Sequence, residues 1–72
     1  MNVGDRLRVD LTIAIVSAEV VAIHSYARVD LKLDTSQLNG FFSSTTETFT
    51  KRRNGDWHRQ GVTTGRGWKV VQ

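Results

Sequence analysis

The chain has 72 residues, no cysteine and no proline, and ten Lys/Arg against seven Asp/Glu for a formal charge of +3. That length holds one small domain, residues 1–72, with a thin core. The missing thiols exclude disulfides, thiolate metal sites and cysteine nucleophiles.

The first ten residues contain a Gly4-Asp5 turn pair and then an alternation. Leu7, Val9, Leu11, Ile13 and Ile15 are apolar, while Arg6, Arg8, Asp10 and Thr12 are polar, which is the period of a strand with one dry face. Past Ile15 the phase breaks, because Val16, Ala18, Val20 and Ala22 compete with Val21 and Ile23. Such a break predicts a bulge, a bend or a new strand near Glu19. A helix over residues 13–23 is the competing reading, but six of those eleven residues are Ile or Val, which favours strand. "LTIAIV" followed by Ser17-Ala18 imitates a secretory leader. Its apolar core falls short of the ~7–15 residues required, and the preceding residues carry both charges equally. No run approaches the ~20 apolar residues of a membrane span, so the expectation is a soluble, cytoplasmic chain with no membrane partner.

"SYARVDLKLD" puts Tyr26, Arg28, Asp30, Lys32 and Asp34 on one face of a strand and Ala27, Val29, Leu31 and Leu33 on the other. In "DTSQLNGFFSS", Asp34, Thr35 or Ser36 caps a short helical turn near residues 35–39 that Asn39-Gly40 ends. Phe41 and Phe42 then close one end of the core. "TETFTKRRNGDWHRQG" flanks Asn54-Gly55 with β-favouring residues, a strong hairpin signal. "VTTGRG" reads as a loop and "WKVV" as a short closing strand, with Trp68 in the core.

About five short strands with one helical turn predict a mainly β chain folded as a small SH3-like or OB-like barrel. The opening "VGDRLRVDL" resembles the start of many SH3-like barrels, over roughly the first thirty-five residues. That resemblance implies a fold and no function.

An enzyme is not expected. No nucleophile elbow or metal-binding helix motif occurs, and "GRG" lacks the frame of a phosphate loop. His24 and His58 have no helical His-x-x-x-His spacing, so neither a metal nor another cofactor is expected. His24 reads as a half-buried strand-end residue bonded to backbone or to a serine.

Charge distribution is more informative than total charge. Residues 51–72 hold Lys51, Arg52, Arg53, Arg59, Arg66 and Lys69 against Asp56 alone, a net of +5. The rest of the chain nets −2. Such asymmetry points to an anionic partner. The candidate nucleic-acid-binding residues are therefore Lys51, Arg52, Arg53, Trp57, His58 and Arg59, with Arg66 and Lys69 extending the basic face. Cationic side chains neutralise phosphates and release counterions, while aromatic rings stack on bases. The competing view makes Lys51, Arg52 and Arg53 an ordinary charged tip that blocks edge-to-edge pairing.

Two turn registers are open. A two-residue turn at Asn54-Gly55 pairs Arg52 with Trp57 and puts Trp57 on the face of Arg52 and Arg59. A three-residue turn with Gly55 in a G1 bulge pairs Lys51 with Trp57 and puts Trp57 beside Phe49, toward the core. In either register Arg59 and one of Arg52 or Arg53 are expected to protrude. The reading is of a binding module for DNA, RNA or another anionic partner. The alternative is a protein-interaction accessory factor or inhibitor, of the size of many bacterial and phage proteins, acting as a homodimer.

Overall fold

The computed structural model describes residues 1–35, 45–61 and 67–71. These build six strands: β1 (Arg6–Asp10), β2 (Ile15–Ser25), β3 (Arg28–Leu33), β4 (Thr45–Lys51), β5 (Trp57–Arg59) and β6 (Lys69–Val70). Each pairs antiparallel with its sequence neighbour, and β6 returns to β1 to close a small barrel of the SH3/OB-like kind.

Alternation decides the faces. On β3 the inward residues Val29, Leu31 and Leu33 are buried, while Arg28 and Lys32 stand outside. Val9 and Leu11, Val16, Ala18 and Val20, and Phe49 complete the core, with Leu7, Trp57, Trp68 and Val70 packed against it. The β-branched run that argued against a helix over 13–23 extends through β2, an eleven-residue strand beginning at Ile15. Register shifts between Val20 and Ala22, and again between Ile23 and Ser25, account for the broken phase. A bulge re-aims the strand so that side chains on either side of it serve different faces.

The alternation through Ile15 is not one strand. The chain reverses at residues 11–14, where the Leu11 N–H donates to the Ala14 carbonyl at 2.8 Å. Asp10 organises this reversal, its carboxylate accepting the Thr12 N–H at 2.8 Å. Thr12 takes a φ of +75°. No Gly, Asn or Pro marks this turn, so the local chemistry of Asp10 alone sets it.

The expected helical turn at 35–39 falls, from Ser36 on, outside the described residues, as do Phe41, Phe42 and residues 62–66 of the segment expected to form a loop. Thr35 is fully buried and non-helical.

Candidate functional site

The β4–β5 hairpin takes the three-residue turn. The Arg52 N–H donates to the Asp56 carbonyl at 2.7 Å, and the Gly55 N–H donates to the Arg52 carbonyl at 2.9 Å. Gly55 has a φ of +94°, the left-handed position of a G1 bulge. Asn54 braces the tip: its side-chain oxygen accepts the Asp56 N–H at 3.0 Å and its amide donates to the Asp56 carboxylate at 3.1 Å.

The register follows, with Lys51 opposite Trp57, Thr50 opposite His58 and Phe49 opposite Arg59. On it Trp57 shares a face with Phe49, and a slip of one residue would exchange the faces and turn Trp57 away. Trp57 is half-buried against the core. It is thus scaffold for the hairpin and does not stand beside Arg52 as an exposed wedge.

The other predicted residues divide into separate environments. Lys51 and Arg53 are exposed at the tip, and Arg52 is half-buried beside them. Arg59 does not protrude freely: it is half-buried, and its guanidinium lies 4.5 Å from the centroid of the Trp68 ring, a cation–π contact. Lys69 is exposed on β6, opposite His58 and Asp10. Arg66 lies outside the described residues.

His58 is only 8% exposed. Its Nδ1 is buried without a hydrogen-bond partner, and its Nε2 is 4.0 Å from the Asp56 carboxylate. Burial first and then the nearby Arg52 charge push its pKa below 6.5, against an opposing pull from Asp56, with Lys69 adding a smaller push. The imidazole is therefore neutral at pH 7.

Two residues outside the predicted set join the tip. The Lys51 N–H donates to the Ala27 carbonyl at 2.9 Å, which brings the β2–β3 turn against the hairpin. That turn presents Tyr26, 91% exposed, and the exposed Arg28 follows it. Alternation had placed Tyr26 on a strand face with Arg28. The signal for a turn was Ser25, whose hydroxyl accepts the Ala27 N–H at 3.2 Å.

His24 is exposed and bonded differently from expectation. Its Nε2 lies 3.0 Å from Asp30 Oδ2, and Thr48 Oγ1 donates to Asp30 Oδ1 at 2.7 Å. The Thr48 bond first, then His24, hold the Asp30 carboxyl below its ordinary 3.8. Because both partners bind the carboxylate, the histidine offers Thr48 no base, and the trio acts as a cross-strand clamp.

On the outer side of β1–β3, Arg6, Ser17, Glu19, Lys32 and Asp34 line a shallow groove of about 340 Å³. Register sets Arg6 beside Glu19 and Glu19 beside Lys32, so its charges alternate. Among the described residues no three of His, Asp and Glu converge as metal ligands, and no helix is long and apolar enough to cross a membrane. Comparison of the chain with protein-family models, curated proteins and solved structures finds no match.

Proposed function

We propose that the barrel is a non-enzymatic binding module that docks a nucleic acid on the end formed by the β2–β3 turn and the β4–β5 tip. One observation carries this reading. The Lys51–Ala27 hydrogen bond gathers exposed Lys51, Arg53 and Arg28, from distant parts of the chain, around a single end. Arg52 adds a fourth cation there, half-buried between them. A cluster of this kind suits a row of phosphates.

The test is fluorescence anisotropy with labelled DNA as salt rises from 50 to 200 mM. With four phosphate contacts, a slope of about −0.9 per contact weakens binding roughly 100-fold across that range. Arg52→Ala with Arg53→Ala should flatten the slope by about half as the contact count halves. Absence of binding at 50 mM salt sinks the reading.

A second reading, a homodimer or a protein-binding face, is favoured by one apolar group. Ile13, Ile15 and Val71 are 70%, 56% and 44% exposed, and the Val71 N–H bonds the Arg8 carbonyl across the seam beside them. Exposed apolar side chains grouped in this way mark contact surfaces. A sedimentation mass of one chain up to high concentration removes the dimer.

A further inference from the structure

Tyr26 is held out in solvent without a structural return. It occupies a two-residue connection between Ser25 and Arg28, which pair directly. Such tight connections favour Gly, Asn or Asp, because their backbone twist matches the strands. Tyr26 and Ala27 both keep negative φ, so this turn makes no such demand and is open to most residue types. The ring is 91% exposed and buries almost nothing. A large aromatic ring that neither the turn nor the core calls for is a candidate contact surface.

The surroundings say what the ring would meet. Arg28 lies two residues on, Lys51 is hydrogen-bonded to the adjoining Ala27, and Arg53 extends from the neighbouring tip. An open aromatic face at an end of the barrel that also carries these cations matches an unpaired base flanked by phosphates. Duplex bases are already stacked on one another, so the ring has no base face to occupy there. A lipid surface fits less well. Sinking Tyr26 to the depth of acyl chains would drag Arg28 and Lys51 toward hydrocarbon.

We propose that Tyr26 is a base-stacking platform and that the ligand of this end is single-stranded nucleic acid. The inference rests on the nucleic-acid reading above and narrows it.

The experiment measures anisotropy at 50 mM salt with a fluorescein-labelled oligothymidylate of about twenty nucleotides, and with a duplex of equal length. The single strand should bind tighter. Tyr26→Ala should weaken the single strand at least roughly five-fold, the low end for one stacked base, and leave the duplex nearly unchanged. Tyr26→Phe, which keeps the ring face, should match wild type. Thermal melts check that both variants fold, as an exposed side chain permits. Equal affinity for both probes with no effect of Tyr26→Ala overturns the stacking role while the module reading stands. Binding of neither probe overturns both. A Tyr26→Phe loss equal to that of Tyr26→Ala overturns stacking in favour of a hydroxyl contact. A Tyr26→Ala effect seen only with vesicles of mixed phosphatidylcholine and phosphatidylserine overturns it in favour of lipid.

Discussion

Thr12 holds a φ of +75°, a conformation in which its β-branched side chain crowds the backbone. Such strain costs on the order of 1–3 kcal/mol, and here only the turn after β1 requires it. Asparagine adopts that region with less difficulty, and the position is exposed. Thr12→Asn should therefore stabilise the fold by about 1 kcal/mol, raising Tm by about 4–8 °C in a chain of this length. A lower Tm would show that the threonine hydroxyl, bonded to the Leu11 carbonyl, outweighs the strain. His58 sets a pH dependence at the same scale. Its pKa is depressed on folding, so the unfolded chain binds the extra proton first. Stability should be complete above about pH 7 and fall as pH drops through 6.5 toward the lower folded value. Arg52, Asp56 and Lys69 are the charges that act on His58. In a His24→Gln background, urea unfolding at pH 7.5 and 5.5 should show this loss, and His58→Phe should remove most of it. The Asp30 contribution occupies a separate window: its folded pKa is lowered, so it is lost only as pH falls below 3.8.

At the scale of elements, the β4–β5 turn depends on one backbone geometry. Gly55 has a φ of +94°, and a Cβ there would meet nothing within 4 Å. The cost of Gly55→Ala is thus conformational rather than steric against neighbours, about 1–2 kcal/mol in urea unfolding. Gly55→Asn should lose visibly less. Equal losses for both would mean that the glycine matters for some reason other than its backbone. This hairpin also shows where sequence is sufficient. Asn54-Gly55 located it, yet the choice of register belongs to the core, where Phe49 and Trp57 must share a face. The β3 faces were legible for the same reason, since period two and burial agree at every residue from Arg28 to Leu33. The β1–β2 reversal was not legible, because the alternation of Ile13 and Ile15 carries the strand pattern straight through a turn set by an aspartate side chain. Tyr26 was hidden the same way: period two continues through a turn that needs no glycine.

At the scale of the molecule, charge asymmetry was readable from composition, but the gathering of charge was not. Arg28 and Lys51 are distant in sequence and come to the same end only because β3 pairs with β4. Arg59, in contrast, reads as part of the same basic run but is engaged by Trp68. What holds the molecule closed is smaller than any of these elements. β6 has two residues, pairing Val70 with Val9 and Lys69 with Asp10 on one side and Lys69 with His58 on the other. Without it β1 and β5 would become open sheet edges, templates for pairing with other copies. The Val71 N–H, donating to the Arg8 carbonyl at 2.9 Å, is one of the bonds that closes the seam. Val71→Pro deletes that donor and its hydrogen bond, a loss of about 0.5–1.5 kcal/mol. The variant should unfold at lower urea and sediment as larger species with rising concentration. Val71→Ala keeps the N–H while trimming the exposed side chain, so it should behave as wild type in both measurements. If the two variants sediment alike, the exposed valine surface, and not the closure of the barrel, controls association.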